Sequence, residues 1–163
     1  MNEQARKQRN ALMMGELYPV FRNKIMLVIT DMEGRGFRPR IQQAWRSEAE
    51  QLVYFNKGTS KVKYGFHNCT GAKGEKESLA VDMLDDDFPL NSRVEYLLNL
   101  ADASANQGLI TGIRWGLTKI LIAGLEDALR CKDFKRVVKI GFDPTHIEPT
   151  GINLQQAKAG KRI

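Results

Sequence analysis

Apolar residues recur every three or four positions over residues 3–33, which is the spacing of an amphipathic helix. Pro19 interrupts this pattern and predicts a break or kink, because proline lacks the backbone N–H and clashes with the preceding turn. Gly34 and Gly36 follow directly and are typical of a helix C-terminus. The first 33 residues are therefore predicted to form an N-terminal helical region.

Three further segments have helical spacing, namely 47–56, 92–106 and 117–129. Ser47 and Ser92 each stand three residues before a glutamate, and this spacing predicts a capping box at the start of two of these helices. Gly58 and Gly108 are expected to end the same two helices, because glycine adopts the left-handed conformation that follows many helix C-termini.

Shorter apolar runs predict strands over 37–45, 79–84, 109–115 and 137–142. Pro39 lies near the start of the first strand, where a missing N–H is tolerated. A loop rich in lysine and glycine fills 57–78. Helices and strands do not alternate in a regular βαβ rhythm, so the pattern predicts an α+β fold with a small antiparallel sheet flanked by helices.

The length of the chain is compatible with one domain. At 163 residues and 18.5 kDa, the chain can bury one hydrophobic core and has no room for a second folded domain. Hydrophobic residues make up 42% of the chain and charged residues 27%, which argues against general disorder. We predict a single domain spanning 1–163, with residues 150–163 as a basic C-terminal tail, and we expect a monomer.

The net charge of +6 predicts acidic partners, such as an anionic wall polymer, a lipid surface or a nucleic acid. The basic residues are scattered and accompany no nucleic-acid-binding signature, so nucleic acid is not expected as a partner. The longest apolar runs are far shorter than the roughly 20 residues of a membrane span. Two cysteines fit a reducing compartment, and the polar N-terminus shows no secretory signal, so synthesis in a cytoplasm is expected.

The segment 141–149 carries the strongest chemical signal. Asp143 stands three residues before His146, which is one of only two histidines in the chain. Two prolines disfavour a helix here, so we predict a short turn that runs into an extended segment. Side chains alternate faces in such a segment, which would place His146 and Glu148 on the same side. A histidine oriented by a nearby carboxylate is the usual form of a metal ligand, although a surface turn before an edge strand is the simpler interpretation of this stretch alone.

Two residues upstream complete a candidate metal site. His67 is the other histidine, and by itself it would more often be an ordinary loop residue. Asp82 lies within an apolar run that we interpret as a buried strand, where a carboxylate must be paired, hydrogen-bonded or bound to a metal. A catalytic zinc takes three protein ligands and leaves a fourth position for water, so two histidines and one carboxylate would suffice.

Short motifs occur in a consistent order along residues 37–149. They are Trp45-Arg46-Ser47, Phe66-His67, Ala80-Val81-Asp82, Trp115-Gly116 and Asp143-Pro-Thr-His146-Ile-Glu148. This order resembles that of the M15 zinc peptidases, whose pattern runs Y-R-S, S-x-H-x-x-G-x-A-x-D, W-G and D/E-x-x-H-F-E. That family includes D-Ala-D-Ala carboxypeptidases and dipeptidases, and the phage endolysins that cut L-alanyl-D-glutamate bonds. The fold implied by the resemblance is a single zinc-peptidase domain of the Hedgehog/DD-peptidase type.

The resemblance implies three ligands for a Zn²⁺ ion, namely His67, Asp82 and His146. It implies that Asp143 is the general base and proton shuttle, with Glu148 beside the ligand set. Arg46 would bind the substrate and stabilise the oxyanion, a role that suits a planar and permanently charged donor. Trp115 is expected to pack or to line the cleft.

The chain departs from the family pattern between the first histidine and the aspartate. The family places these two residues closer together than His67 and Asp82, and a loop insertion explains the difference. Gly65 replaces the serine two residues before the histidine. Three acidic residues remain alternatives to Asp82, although they look more like a solvated acidic turn: Asp85, Asp86 and Asp87. Cys69 could act as a soft ligand and is more simply a small packed residue.

These implications favour a zinc-dependent peptidoglycan peptidase of the phage endolysin type, which hydrolyses a stem-peptide bond, foremost L-alanyl-D-glutamate, with metal-activated water. The alternatives are a D-alanyl-D-alanine carboxypeptidase or dipeptidase, and a non-catalytic basic binding protein of the same fold. The expected partner is the peptidoglycan stem peptide, with electrostatic contact to anionic wall or lipid. We expect synthesis in the host cytoplasm and action at the cell wall or periplasm after the membrane is permeabilised.

Overall fold

The computed structural model describes residues 1–163 as an α+β arrangement of six α-helices and four strands. The helices are Glu3–Met14 (α1), Pro19–Gly34 (α2), Glu48–Asn56 (α3), Val94–Asn106 (α4), Lys119–Arg130 (α5) and Leu154–Lys158 (α6). The strands are Pro39–Gln43 (β1), Val81–Asp85 (β2), Leu109–Thr111 (β3) and His146–Pro149 (β4). Two 3₁₀ turns occur, at Phe66–Asn68 and Gly112–Arg114. None of the helices combines the length and the apolar character that crossing a bilayer requires.

The four strands form one antiparallel sheet in the order β1-β2-β4-β3. The expected α+β fold with a small antiparallel sheet flanked by helices is therefore confirmed. In the centre of the sheet, Asp82 of β2 stands directly opposite His146 of β4. Directly opposed residues of an antiparallel pair have Cβ atoms about 4.5–5.5 Å apart, so this register brings the two side chains together.

The hydrophobic core joins one face of this sheet to α2 and α4. Helix α2 turns its apolar stripe inward, and α4 packs against it with its own buried face. Phe21 and Tyr96 are among the largest fully buried side chains. Each such side chain contributes about 1.5–3 kcal/mol relative to an exposed position, so this core provides the rigid support on which the sheet rests.

Helix α1 is fastened to β1 by buried polar contacts. The guanidinium of Arg6, which is 2% exposed, donates a hydrogen bond to the Pro39 carbonyl at 2.7 Å and pairs with Glu33 at 2.7 Å. The Asn10 side chain donates to the same carbonyl and accepts from the Ile41 N–H at 2.8 Å. These contacts cover the outer edge of β1 and fix the strand that leads into Arg46.

Several local predictions are confirmed. Pro19 occupies the first position of α2, where its missing N–H is tolerated, and so it separates two helices. Ser47 forms the predicted capping box with Glu50. Gly58 and Gly108 both have positive φ just beyond the ends of α3 and α4.

Two local predictions are wrong, and a third is only partly right. Ser92 does not cap α4, because the helix begins at Val94 with Arg93 at the cap position and no side-chain cap bond. The segment 137–142 is not a strand, because its neighbour is the 3₁₀ turn Gly112–Arg114 and no extended partner lies beside it. The predicted strand over 109–115 is likewise cut short by that turn and ends at Thr111.

Candidate metal centre and substrate cleft

Three side chains predicted to bind a metal meet at one point. His146 Nδ1 lies 3.1 Å from Asp82 Oδ1, across the central pair of strands. His67, from the 3₁₀ turn that precedes β2, places its Nε2 3.3 Å from His146 Nδ1 and 3.4 Å from Asp82 Oδ1. These three residues form a group of potential metal ligands.

The separations fit a tetrahedral zinc site. Zn–N and Zn–O bonds of about 2.0–2.1 Å imply ligand-to-ligand edges of about 3.3 Å in a regular tetrahedron. The observed edges of 3.1, 3.3 and 3.4 Å are close to that length. Two imidazole nitrogens and one carboxylate oxygen are also a donor set that zinc accepts. The residues present therefore fit a zinc ion.

The second nitrogen of each imidazole has its own partner. His67 Nδ1 donates to the carbonyl oxygen of Ala44, at the end of the edge-strand segment. His146 Nε2 donates to Glu148 Oε2 at 3.1 Å, which confirms that His146 and Glu148 lie on the same side of β4. Such bonds fix the tautomer and the orientation of a ligating histidine. Both rings are thereby held with their other nitrogen towards the common point.

The charges of the site are strongly coupled. Burial acts to raise the pKa of the Asp82 carboxyl, but the neighbouring imidazoles of His67 and His146 outweigh it and hold that pKa well below its usual range. Burial acts to lower the pKa of His146, but hydrogen bonds to Asp82 and Glu148 outweigh it and raise the pKa to about 9. Without a metal, His146 and Asp82 therefore form an ion pair.

Asp143 stands at the turn that enters β4. Its backbone is left-handed, with φ of 57°, and its carbonyl accepts the His146 N–H at 3.2 Å. Burial raises the pKa of the Asp143 carboxyl, and the negative charge of Asp82 raises it further. This places a carboxyl of increased basicity beside the ligand group, in the same cleft.

Two glycines allow the Asp143 turn to pack closely against the 3₁₀ turn. A Cβ atom at Gly112 would lie 2.2 Å from the Asp143 carbonyl oxygen, and one at Gly141 would lie 2.6 Å from the Trp115 carbonyl oxygen. No larger residue fits at either position without backbone movement. Trp115 itself lines the cleft, with its ring centroid 5.3 Å from that of His146.

Arg46 is held on three sides. Its Nη1 donates to Gln51 Oε1 at 2.7 Å and its Nη2 donates to Gln43 Oε1. The guanidinium carbon lies 4.4 Å from the centroid of the Tyr54 ring, in cation–π geometry. Its Nη2 also lies 3.7 Å from Asp82 Oδ2, so the guanidinium adjoins the candidate metal ligands.

The contacts of Arg46 were not predicted from the sequence. Gln51 lies in the predicted helix α3 and Gln43 in the predicted strand β1, but no motif marked either residue as part of a site. Gln51 is 2% exposed, and this burial depends on the loop after α3, which its side chain contacts.

All the predicted site residues line one cleft of about 880 Å³. They are Arg46, His67, Asp82, Asp143 and His146. The cleft is bounded on one side by α3 and the loop after it, and on the other by the Asp143 turn and the start of α6. A volume of this size is typical of ligand-binding clefts.

The alternative ligands lie elsewhere. Asp85 pairs with Arg93 at 3.0 Å, Asp86 pairs with Arg40 at 2.7 Å, and Asp87 pairs with Arg38. The interpretation of this run as a solvated acidic turn is wrong for Asp85 and Asp86, which are 0% and 5% exposed, because arginines on neighbouring segments pair with them. Cys69 is buried in the core and does not belong to the ligand group, which agrees with its prediction as a small packed residue.

No family model matches the chain, and no curated protein matches it in sequence. Among solved structures, the chain is similar to the L-Ala D-Glu endopeptidase ChiX of Serratia marcescens, with a TM-score of 0.55 and 16% identity over 87% of this chain and 86% of that one. It is also similar to the LD-carboxypeptidase LdcB, with a TM-score of 0.51 and 17% identity over 88% of this chain. The match covers 62% of LdcB, which is less than two thirds of its length. At these identities the likeness shows a shared fold.

Proposed function

We propose that this protein is a zinc-dependent peptidase that hydrolyses an amide bond in the stem peptide of peptidoglycan, foremost the L-alanyl-D-glutamate bond. The observation that carries the proposal is the set of three ligand atoms with mutual separations of 3.1–3.4 Å. These ligands share a cleft with a carboxyl of raised pKa, Asp143, and with a restrained guanidinium, Arg46. The fold shared with an L-Ala D-Glu endopeptidase supports the choice of bond.

His67, Asp82 and His146 would hold the zinc ion. A zinc ion held there would act as a Lewis acid towards the scissile carbonyl and would make water acidic enough to lose a proton near neutral pH. Asp143 accepts that proton, because burial and the charge of Asp82 raise the pKa of its carboxyl and make it a stronger base. The protonated Asp143 then delivers the proton to the departing amine.

Arg46 binds the substrate and stabilises the negative charge that develops on the carbonyl oxygen. Arginine has five N–H donors, and protein acceptors occupy two of them at Gln51 and Gln43. The Nε–H is buried within the protein, so the second N–H groups of Nη1 and Nη2 are the donors left for the substrate. Because Gln51, Gln43 and Tyr54 fix the guanidinium beforehand, little reorganisation is needed when charge develops.

We extend the proposal to an endolysin of phage type, made in the host cytoplasm and acting at the wall once the membrane is permeabilised. The net charge of +6 supports this extension, since it favours encounter with anionic wall and lipid surfaces. External addition of the protein to bacteria with a permeabilised outer membrane should lower culture turbidity. Unchanged turbidity, together with active cleavage of purified wall, would restrict the function to wall processing without lysis.

The peptidase proposal is tested by digestion of purified peptidoglycan with the wild type and with Asp143→Asn, followed by mass spectrometry of the released fragments. New L-alanyl carboxyl termini and D-glutamyl amino termini are expected with the wild type alone. A chelator should abolish their release, and added zinc should restore it. Release of a terminal D-alanine instead would replace the endopeptidase by a carboxypeptidase, and no release from any wall type would refute the peptidase function.

A further inference from the structure

The cleft contains one positively charged side chain that is not engaged by the protein. Only Arg46 and Lys61 among the cleft-lining residues carry a positive charge, apart from the two histidines. Arg46 is bound by Gln51 and Gln43 and adjoins Asp82. Lys61 is exposed, lines the cleft and forms no ion pair and no side-chain hydrogen bond with the protein. Its ammonium group is therefore free to bind an anionic group in the cleft.

The backbone on both sides of Lys61 is fixed. Gln51 Nε2 donates hydrogen bonds to Ser60 Oγ at 2.8 Å and to the Val62 carbonyl at 2.6 Å. Ser60 Oγ also donates to the Val62 carbonyl at 3.0 Å, which closes a tight turn around Lys61. The position of the Lys61 side chain along the cleft wall is therefore defined by the turn, while its four-carbon stem stays flexible.

The same glutamine links this turn to the reaction centre. Gln51 binds Arg46 through its oxygen and the Lys61 turn through its nitrogen. The Gln51 side chain therefore connects Arg46 directly to the turn that carries Lys61. Lys61 lines the same cleft as Arg46 and Asp143, so a stem peptide bound along the cleft shares it with all three side chains.

We propose that Lys61 determines substrate specificity by binding a free carboxylate on the residue next to the scissile bond. This inference rests on the proposed function. A D-glutamyl residue linked through its γ-carboxyl retains a free α-carboxylate beside the L-alanyl-D-glutamate bond. The carboxylates already in the cleft belong to the metal centre and its neighbours, Asp82, Asp143 and Glu148, so they offer this group no attraction. Lys61 supplies the opposite charge that the substrate carboxylate needs.

The test compares two fluorescent stem peptides that differ only in this group, one with the α-carboxylate and one with an α-carboxamide. Binding is measured by anisotropy with the zinc-loaded Asp143→Asn protein, which leaves the peptides uncut. This protein is expected to prefer the carboxylate peptide by about fivefold, the magnitude of a partly exposed charged hydrogen bond. Adding Lys61→Gln should remove the preference, whereas adding Lys57→Gln, the same change outside the cleft lining, should preserve it.

The outcomes separate the two proposals. Equal binding of both peptides, a preference that survives Lys61→Gln, or binding of neither peptide would overturn the role of Lys61. The wild-type protein is assayed for cleavage of the same peptides. Selective binding that depends on Lys61 but is never followed by cleavage would refute the peptidase function and leave carboxylate recognition by Lys61 in place.

Discussion

Gln51 Oε1 accepts a hydrogen bond from Arg46 Nη1 at 2.7 Å, and the two side chains are both almost fully buried. The nitrogen of the same amide donates to the Val62 carbonyl at 2.6 Å. A single side chain from α3 therefore couples the candidate oxyanion-binding arginine to the wall of the cleft. Because Gln51 itself is 2% exposed, water has little access to its amide and does not readily replace these bonds.

We predict that Gln51→Leu reduces both activity and stability. Loss of the acceptor frees the Arg46 guanidinium to move, and a misplaced catalytic group lowers kcat/KM by at least about tenfold. The buried donors and acceptors left without partners should lower the free energy of unfolding by about 1–3 kcal/mol. Steady-state kinetics on a stem peptide and denaturant titration measure the two effects. Gln155→Leu, the same change at an exposed position of α6, is the control and should alter neither quantity.

We predict that Asp82→Asn greatly weakens metal binding while the fold persists. The amide keeps the shape of the side chain but removes the charge that binds a cation, so zinc affinity should fall by at least about 100-fold. Competition with a chromophoric chelator measures the affinity, and circular dichroism measures the fold. Asp87→Asn, at an exposed neighbour that pairs with Arg38, should bind zinc as the wild type does. Wild-type affinity in Asp82→Asn would show that Asp82 is not a ligand.

Some features of this protein follow from local sequence, for a physical reason. Local sequence predicts the structure correctly where a single residue determines the backbone around it. Pro19 separates two helices, and Ser47 caps one. Strand alternation likewise placed His146 and Glu148 on one side. The meeting of His67 with His146 is different, because the two lie 79 positions apart. Motif order indicated that meeting through the family resemblance, and helix or strand periodicity alone could not.

The wrong or missing predictions concern residues whose structure depends on segments distant in sequence. The apolar run 137–142 resembles a strand, yet its neighbour is a turn held by Gly112 and Gly141, so no strand ladder forms. Asp85 and Asp86 look like a solvated run, yet arginines distant in sequence pair with them. The glutamines that bind Arg46 were missed for the same reason, since their burial depends on how distant segments pack.

The affinity for metal should rise with pH. Hydrogen bonds to Asp82 and Glu148 raise the pKa of His146 to about 9, so below that pH a metal ion must displace a proton from this ligand. Because one proton is released from His146, the apparent affinity for zinc should increase by about tenfold per pH unit and level off near pH 9. Titration with chelator-buffered zinc at several pH values measures the profile.

Glu148→Gln is the matched variant for this pH profile. It removes one of the carboxylates that raise the pKa of His146, so the profile should level off at a lower pH. The amide keeps the size of the side chain and an oxygen that can still accept from His146 Nε2. A wild-type affinity that does not change between neutral and alkaline pH would contradict the assignment of His146 as a ligand that is protonated in the metal-free protein.

We predict that Gly112→Ala displaces the Asp143 turn. The added methyl would lie 2.2 Å from the Asp143 carbonyl oxygen, so backbone must move, at a cost of about 1–3 kcal/mol. Because the turn carries the general base, kcat should fall while zinc binding is largely retained. Gly124→Ala is the control: its surroundings in α5 are open, and alanine should stabilise that helix by about 0.5–1 kcal/mol. Unchanged kcat in Gly112→Ala would show that the turn tolerates the shift.

The role of the Asp143 carboxyl as general base can be tested separately from the left-handed conformation of its backbone. Its φ of 57° is a left-handed conformation that asparagine and glycine adopt more readily than alanine. Asp143→Asn should therefore fold as the wild type does, bind zinc and lose about 10²- to 10⁴-fold in kcat, because the amide cannot accept the proton. Asp143→Gly should be equally inactive with an unstrained backbone. Asp143→Ala should be as inactive and also less stable by about 1–2 kcal/mol, because alanine lacks the short polar side chain with which aspartate and asparagine offset the crowding of Cβ in this conformation. Calorimetry and kinetics on the three variants distinguish these contributions, and an active Asp143→Asn protein would require a different general base.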